Sequence, residues 1–365
     1  MDHTSINQII VDIMVVFMAI GAIDKGLLGN RLGLGEKFDE GFMAMGALAL
    51  SMVGVISLAP VLANILNPIV GPIYKALGAD PAMFATTLLA CDMGGFPLAM
   101  EMAGSEEIGK FAGMILGSMM GPTIVFTIPV ALGIIAKEDR EFLAKGTLVG
   151  IITIPLGSLV GGMIQGLPVM VVVSNLIPVV IVAALIALGL WKIPDTMVKG
   201  FDWFGKGVVA VVTLALAAII IETLTGVVVI KGMAPLNDAV IVIGAIAIVL
   251  AGAFPMVYVI TKYAQKPLMS IGKVLGVNDV SAAGLVATLA NNIPMFTLMK
   301  DMDNRGKVIN VAFCVSAAFV FGDHLGFCAG VAKDMIFPMI VGKLVGGVSA
   351  VLLAMIIAPK SELKG

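Results

Sequence analysis

The chain has 365 residues, of which 59% are hydrophobic and 13% are charged, and its formal net charge is −2. Soluble domains carry about 25% charged and about 45–50% apolar residues, so a mean hydropathy of +1.09 excludes a water-soluble fold and makes the lipid bilayer the expected solvent. The small net charge provides no basic surface, so we expect no nucleic-acid partner.

Long runs without charged residues predict membrane-spanning helices. A span needs about 20 mostly apolar residues, and helices satisfy their own backbone groups inside lipid. In chain order the hydrophobic segments are 6–28, 42–66, 82–101, 108–136, 143–164, 168–191, 206–223, 237–260, 280–299, 307–330 and 335–357. No basic region or cleavage site marks the first as a signal peptide, so we expect a retained span there. The predicted fold is an all-α integral membrane protein with about 9–11 membrane segments.

Lysine and arginine residues predict how these segments cross the membrane. If segments 82–101 and 280–299 each enter and leave on the same side, 17 of the 22 basic residues lie on one face and 4 on the other. That is the asymmetry of the positive-inside rule, with the N-terminus outside and the C-terminus cytoplasmic. Helix-breaking residues occur in both segments, Gly94 and Pro97 in the first and Pro294 in the second. We therefore expect a broken or re-entrant hairpin in each.

The two halves of the sequence resemble each other in an ordered series of positions. At an offset of 198 residues, the matches are Gly46 with Gly244, Ala47 with Ala245, Ala49 with Ala247, Gly54 with Gly252, Lys75 with Lys273, Leu77 with Leu275 and Gly78 with Gly276. At an offset of 200, they are Leu89 with Leu289, Ala90 with Ala290, Phe96 with Phe296, Leu98 with Leu298 and Met102 with Met302. The sequence predicts a first transmembrane repeat at 1–165, a linking transmembrane segment at 166–199 and a second, inverted repeat at 200–365. Inverted repeats that meet at a site near the midplane are a signature of transporters.

Polar and ionisable residues inside the predicted segments mark candidate binding sites, because a charge in lipid costs about 2.5–3.5 kcal/mol on insertion scales. Asp92 lies in the break of the first hairpin, and its counterparts in the second repeat are Asn291 and Asn292. One carboxylate opposite neutral amides suits a small polar cation better than an anion. The alternative for Asp92 is a capping residue that stabilises the hairpin.

A second candidate pair, Asp323 and His324, interrupts the tenth segment after Gly322. A carboxylate beside an imidazole can bind a cation or relay a proton, and a satisfied buried pair is the structural alternative. The corresponding stretch of the first repeat carries Thr127. Glu101 closes the first hairpin, and its alternative is a solvated end at the interface. The predicted substrate-binding residues are Asp92, Glu101, Thr127, Asn291, Asn292, Asp323 and His324.

Motifs for cofactors and catalysis are missing from the sequence. It contains no Walker motif, dinucleotide fingerprint, histidine-rich metal set or nucleophile elbow, so we expect no cofactor, no metal and no catalytic residue. Cys91, Cys314 and Cys328 lie in apolar stretches and are interpreted as buried thiols. An intramembrane enzyme built on Asp323 and His324 would lack a third catalytic group at a recognisable spacing.

Four stretches of the sequence resemble the ethanolamine permease (EutH) family. They read EGFMAMGALAL at 40–50, GADPAMFATTLLACDMGG at 78–95, ANNIPMF at 290–296 and FGDHLGF at 321–327, and the resemblance extends over essentially the whole chain. It implies uptake of ethanolamine across the inner (plasma) membrane of bacteria that use this amine as a source of carbon and nitrogen. It also implies operon partners such as ethanolamine ammonia-lyase and a microcompartment, without implying contact, and it assigns no role to any residue.

We therefore expect a permease that binds ethanolamine as the protonated amine and moves it by secondary or facilitated transport. A buried carboxylate can hold the ammonium, and Asn or Thr can hold the hydroxyl. Phe96, Phe296 or Phe321 can add a cation–π contact of roughly 0.5–2 kcal/mol. The alternative is a sodium- or proton-coupled exchanger of another small cationic or polar solute. The sequence leaves open the energy coupling and whether the protein is a monomer or a homo-oligomer.

Overall fold

The computed structural model describes residues 3–360, apart from the side chains of residues 3–5, 264–269 and 271. Lys364, one of the basic residues counted above, lies outside the described residues. All regular elements of the described chain are helices. In chain order they are α1 (His3–Gly26), α2 (Leu34–Ala76), α3 (Ala82–Leu88), α4 (Gly95–Met102), α5 (Glu106–Ile134), α6 (Arg140–Gln165), α7 (Val169–Lys192), α8 (Pro194–Thr225), α9 (Leu236–Leu275), α10 (Asp279–Ala290), α11 (Asn292–Leu298), α12 (Asn304–Ala317), α13 (Asp323–Val331) and α14 (Ile336–Ile357).

Eight helices of the described chain are long and apolar enough to cross a membrane, namely α1, α2, α5, α6, α7, α8, α9 and α14. The three other predicted segments are each divided into two shorter helices. Segment 82–101 forms α3 and α4, segment 280–299 forms α10 and α11, and segment 307–330 forms α12 and α13. The prediction of an all-α membrane fold is confirmed, and so are the predicted breaks in the third and ninth segments.

The first hairpin consists of α3, α4 and the unwound residues between them. Gly94 has a left-handed φ of 92°, which residues with a Cβ rarely adopt, and this reverses the chain. The carboxylate of Asp80 accepts hydrogen bonds from the backbone N–H groups of Ala82 and Gly104, both at 2.9 Å. Because Asp80 precedes α3 and Gly104 follows α4, the chain leaves the hairpin beside the point where it enters.

The second hairpin, α10 and α11, is closed at its base by different residues. Asn291 is extended, and its side chain accepts a hydrogen bond from the backbone N–H of Ile293 at 2.8 Å, which starts α11. At the base, the carboxylate of Asp303 accepts from the backbone N–H of Asn278 and from the hydroxyl of Ser281, both at 2.9 Å. Both hairpins therefore return the chain to the end of the bundle from which it came.

Two pairs of long helices pack antiparallel. In the pair α2 and α9, Gly41 near the start of α2 lies against Ala251. Further along α2, the carbonyl of Ser57 accepts a hydrogen bond at 2.8 Å from the backbone N–H of Ala234, which precedes α9. In the second pair, α6 and α14, Gly157 contacts Gly342 and Gly161 contacts Pro338. In both pairs, residue numbers rise along one helix as they fall along the other.

One glycine contact occurs twice between long helices. A Cβ added to Gly54 of α2 would lie 2.1 Å from the carbonyl oxygen of Val212 in α8. A Cβ added to Gly252 of α9 would lie 2.4 Å from the carbonyl oxygen of Met14 in α1. Gly252 lies 198 positions after Gly54, and Val212 lies 198 positions after Met14, so the two contacts occupy corresponding positions in the two halves. These matched glycines are packing residues, because small side chains let membrane helices approach closely.

Irregular helices contact the hairpins in both halves of the chain. α5 is widened by two π-helical turns, a feature often found at functional sites, and a Cβ at its Gly121 would lie 1.9 Å from the carbonyl oxygen of Leu89. Between α12 and α13, a Cβ at Gly322 would lie 2.0 Å from the carbonyl oxygen of Ala290. In each half, a glycine lets the irregular segment approach the end of the first helix of the hairpin.

Candidate functional site

A small cavity lies between the tip of the first hairpin, α5 and the turn that separates α12 from α13. Its volume is about 50 Å³, and one buried water needs about 10–15 Å³, so it has room for a few waters or a small organic molecule. We call it the central cavity. The lining residues are Ala90, Asp92, Met93, Pro122, Phe126, Phe319, Asp323 and His324.

Asp92 lies where the first hairpin is unwound. α3 ends at Leu88, and a single 3₁₀ turn over Cys91–Met93 precedes α4. The side chain of Asp92 caps neither this turn nor α4, and it stays partly exposed at the central cavity. One of its carboxylate oxygens lies within 4.8 Å of a ring nitrogen of His324 and of the thiol of Cys91. The unwound backbone therefore presents Asp92 as a cavity group.

Asp323 begins α13, directly after the turn that separates it from α12. Phe319 in this turn has a left-handed φ of 63°, which is unusual for a bulky residue, and its backbone N–H donates to the carbonyl of Thr288 at 3.1 Å. The backbone N–H of Phe321 donates to the carbonyl of Leu289 at 2.9 Å, so α10 holds the turn in place. The carboxylate of Asp323 consequently lies at a helix N-terminus, where the helix dipole favours negative charge.

Asp323 also lines a second, larger cavity of about 350 Å³, which we call the vestibule. Its other lining residues are Lys37, Glu40, Phe254, Val257, Tyr258, Thr261, Ala290, Asn291 and Gly322. Lys37 and Glu40 form an ion pair at 2.5 Å and keep 28% and 44% of their side chains exposed, so the vestibule reaches the surface at the N-terminal end of α2. Asp323 is thus shared by the vestibule and the central cavity.

A buried lysine lies behind the central cavity. Lys343 of α14 is 1% exposed, and its Nζ donates to the carbonyl of Ser118 and lies 3.1 Å from Nδ1 of His324. His324 is itself 2% exposed, and its imidazole connects Lys343 to the cavity. Within the described residues, no lysine or arginine forms an ion pair with Asp92 or Asp323.

Lys343 is not one of the site residues that the sequence predicts. The available signal is a single lysine inside the 22-residue apolar helix α14, and a charge inside a membrane helix marks a functional group by default. Its partners Ser118 and His324 belong to α5 and α13, which are distant in sequence. The composition of α14 therefore indicates an unusual lysine but not its location beside the cavity.

Cys91, Asp92 and His324 have donor atoms within 4.8 Å of one another, which is a spacing that can hold a metal ion. A thiolate, an imidazole and a carboxylate together would suit zinc. Within the described residues this cluster offers three donors, one fewer than a closed structural zinc site requires. We therefore assign no structural metal to it, and its carboxylate remains available to a substrate.

The other predicted residues lie away from the central cavity. Asn292 is fully buried, and its Nδ2 donates to the hydroxyl of Thr127 at 3.0 Å, which joins the second hairpin to α5. Asn291 lines the vestibule. Glu101 is exposed on α4 and lines neither cavity. The structure thus brings together Asp92 and the pair at the start of α13, and leaves the rest of the predicted set outside.

Aromatic rings line the central cavity, but they are not the ones that the sequence indicated. Phe126 and Phe319 line it, edge to face, with their ring centroids 5.7 Å apart. Phe96, Phe296 and Phe321 line neither the central cavity nor the vestibule. The lining rings come from the π-helical part of α5 and from the turn after α12, and neither irregularity follows from residue types alone.

Residues 6–357 match the family model described as "Ethanolamine utilisation protein, EutH". The chain belongs to this family. It is 66% identical over 347 residues to a protein of Listeria monocytogenes named "Probable ethanolamine permease EutH", and the match covers 95% of the chain and 93% of that protein. A protein of the same name from Escherichia coli is 53% identical, with 98% and 97% covered. "Uncharacterized protein YxeR" of Bacillus subtilis is 52% identical, with 99% and 97% covered. No solved structure matches the chain.

Membership of the EutH family confirms the resemblance seen in the four sequence stretches. The names of the relatives from Listeria monocytogenes and Escherichia coli describe permeases, which are transporters and not enzymes. The eight apolar helices of the described chain agree with that class. The protein is therefore a multi-pass membrane protein of the EutH family, and its cavities are candidate sites for a small molecule.

Proposed function

We propose that the protein is a permease that takes up ethanolamine as the protonated amine. The observation that carries this proposal is that Asp92 and Asp323 face one small cavity without an ion pair to a lysine or arginine of the described chain. Carboxylates inside a membrane protein are costly without a counter-charge, and a cationic substrate supplies one. The relatives named as probable ethanolamine permeases support the choice of amine.

Ethanolamine suits the size and the chemistry of the central cavity. It is a short carbon chain with an ammonium at one end and a hydroxyl at the other, and the cavity has a volume of about 50 Å³. A carboxylate accepts charge-assisted hydrogen bonds from an ammonium. The rings of Phe126 and Phe319 can add cation–π contacts worth roughly 0.5–2 kcal/mol. An anionic substrate would instead meet two carboxylates at close range and be repelled.

Asp323 provides a route between the central cavity and the surface. Because it lines both the central cavity and the vestibule, an ammonium can pass from Asp92 to Asp323 without losing its carboxylate partner. Asn291 in the vestibule offers an amide to the hydroxyl of the substrate. In this role Asn291 and Asp323 bind the substrate after it leaves Asp92.

We further propose that residues 1–165 and 200–365 form inverted repeats joined by residues 166–199. The helices that correspond under this division, α2 with α9 and α6 with α14, pack antiparallel. A two-fold axis that relates antiparallel membrane helices is perpendicular to them and therefore lies in the membrane plane, which is the geometry of inverted repeats. The glycine contact that recurs after 198 positions supports the same division.

The distribution of basic residues supports an inner-membrane orientation with the N-terminus outside and the C-terminus cytoplasmic. The mouth of the vestibule, where it reaches the surface, carries Lys37. This lysine belongs to a basic connection between segments that is predicted to lie on the cytoplasmic face. In this orientation the vestibule opens to the cytoplasm, and the state described here is open inward. A second state with access from outside would complete the alternating access of an inverted-repeat transporter.

Counterflow in proteoliposomes tests the proposed function. Vesicles loaded with unlabelled ethanolamine should transiently accumulate labelled ethanolamine, because exchange needs only a site that reaches both sides in turn. Asp92→Asn should lower the counterflow rate at least about tenfold, since a hydrogen bond to a charged group contributes about 1.5–3 kcal/mol and about 1.4 kcal/mol corresponds to tenfold. Glu101→Gln is the matched control, because this acid is exposed on the same hairpin, and it should keep the wild-type rate.

Two results would contradict the proposal: no counterflow by the wild-type protein, or a wild-type rate for correctly inserted Asp92→Asn. Competition separates the alternative substrate classes. Unlabelled ethanolamine should inhibit labelled uptake more strongly than sodium or choline does. If sodium or another amine inhibits as strongly as ethanolamine, the protein is an exchanger of another small cation.

A further inference from the structure

Lys343 is a buried lysine in the middle of an apolar membrane helix, and the substrate site described above does not require it. It is 1% exposed in α14 and does not line the central cavity. A lysine at such a position is costly and marks a functional group by default. Its Nζ donates to the carbonyl of Ser118 and lies 3.1 Å from Nδ1 of His324, and neither partner is a carboxylate.

The groups that face Lys343 come from several elements. The titratable ones are Cys91 and Asp92 from the first hairpin, Cys314 from α12 and His324 from α13. Of the other elements packed on α14, α5 offers Lys343 the carbonyl of Ser118. α6 and α1 contact other residues of α14, through Gly157 and Gly161 and through Asn7, and none of these three side chains is charged. Asp92 is the carboxylate of this set, so it is the negative charge to which the ammonium of Lys343 responds.

His324 is close to both charges. One of its nitrogens faces Nζ of Lys343, and a ring nitrogen lies within 4.8 Å of a carboxylate oxygen of Asp92. The contact between Nζ and Nδ1 needs one donor and one acceptor, so lysine and imidazole cannot both be protonated there. A substrate ammonium at Asp92 and the ammonium of Lys343 therefore compete for the same carboxylate, and the imidazole of His324 is close to both groups.

We propose, resting on the function proposed above, that Lys343 is the proton-exchanging group of this permease. It holds a proton while the central cavity is empty and releases it when the substrate ammonium binds at Asp92. The N–H bond of the lysine ammonium breaks, Nδ1 of His324 accepts that proton, and Nε2 gives one to cavity water on the side to which the cavity is open. After the substrate leaves on the other side, the steps reverse and Lys343 takes a proton from there.

One turnover then moves one ethanolammonium inward and one proton outward. The site carries the same charge when Lys343 is protonated and the cavity is empty as when the substrate is bound and Lys343 is neutral, because one monovalent cation replaces another. Transport is electroneutral and equals the net transfer of neutral ethanolamine, although the form that binds is the abundant protonated amine. A membrane potential should therefore leave the rate of uptake unchanged.

Proteoliposomes with a trapped pH dye test this proposal at slightly acidic pH, where neutral ethanolamine is scarce. The proton and ethanolamine fluxes measured with protein-free liposomes are subtracted. The wild-type protein should then remove about one proton from the lumen for each ethanolamine taken up, because a buried lysine can change its protonation. An inside-negative potassium diffusion potential should not accelerate this uptake. Lys343→Met, which keeps the length but not the charge, should retain counterflow and lose proton movement, and its uptake should become faster with the inside-negative potential.

Lys343→Arg separates proton exchange from a structural charge. Arginine stays protonated in proteins, so a structural role would be rescued by arginine, whereas proton exchange would not. Wild-type uptake without alkalinisation of the lumen, or uptake driven by the potential, would overturn the proposal even if neither variant folds. Counterflow distinguishes failure of the proposed permease function from failure of the proposed role of Lys343. Absence of counterflow in the wild type would refute the function, whereas counterflow without proton movement would refute only the role of Lys343.

Discussion

Replacement of Gly322 by alanine tests whether the turn before α13 positions Asp323. A Cβ at Gly322 would lie 2.0 Å from the carbonyl oxygen of Ala290, whereas ordinary contacts of a Cβ are 3.4–4 Å. The turn or the second hairpin must therefore move by more than about 1 Å, and a close-packed interior resists such a shift. No side-chain rotation relieves the clash, because the atom that the methyl group meets belongs to the backbone.

The loss of stability that Gly322→Ala causes follows from this overlap between the added methyl group and the backbone. Overpacking of a well-packed interior costs about 1–3 kcal/mol, and we expect the upper half of that range because backbone must move on both sides. A displacement of about 1 Å at a positioned group lowers rates by up to about a hundredfold in enzymes. Gly322→Ala should therefore melt at a lower temperature in detergent and should lose at least about tenfold of ethanolamine counterflow.

Gly244→Ala in α9 is the matched control for this experiment. No atom lies within 4 Å of a Cβ added there, and alanine is favoured over glycine inside a helix by up to about 1 kcal/mol. This variant should be at least as stable as the wild type and should transport normally. If Gly322→Ala keeps both the melting temperature and the counterflow of the wild type, the close approach to Ala290 does not position Asp323.

Three further changes test other parts of the site. Asp323→Asn should raise the ethanolamine concentration for half-maximal uptake more than it lowers the maximal rate, because Asp92 still holds the ammonium; an unchanged uptake curve would exclude a role for Asp323. Thr127→Val should remove the hydroxyl that accepts from Nδ2 of Asn292 and cost about 1–3 kcal/mol of stability, so the melting temperature should fall while the substrate affinity stays constant. A lower substrate affinity at an unchanged melting temperature would instead make this pair a substrate-binding group. Thr261→Cys, in a variant without the native cysteines, should react with an impermeant thiol reagent only from the cytoplasmic side; labelling from outside would reverse the proposed orientation.

Local features of the sequence predict the hairpins. Gly94, Pro97 and Pro294 break helices through backbone freedom or a missing donor, and these effects act within a few residues. The basic residues then predict that each hairpin returns to its own side. Hydrogen bonds to Asp80 and Asp303 close the two bases in agreement with that prediction, although neither residue was identified for this role from the sequence.

Contacts between distant segments could not be predicted in the same way. A charge inside a membrane segment indicates that a partner is needed, but the residue type does not say which partner. Lys343 and His324 meet because α14 packs against α13. Glu101 shows the opposite case, since an acid at the end of a predicted hairpin is exposed where α4 ends. Packing between helices therefore decides which of the candidate residues line the central cavity.

The proposed repeats meet at two interfaces of different chemistry. In each interface, the tip of one hairpin faces the irregular helix of the other half. At one of them, Asp92 and Asp323 line the central cavity, whereas at the other, Asn292 donates directly to Thr127 at 3.0 Å. If both interfaces carried charges, each further buried charge would raise the free energy of membrane insertion by about 2.5–3.5 kcal/mol, and a second cation site would form. In the proposed function, the neutral interface closed by a hydrogen bond holds the halves together while the charged interface exchanges its cation, so two similar halves would build a single substrate site.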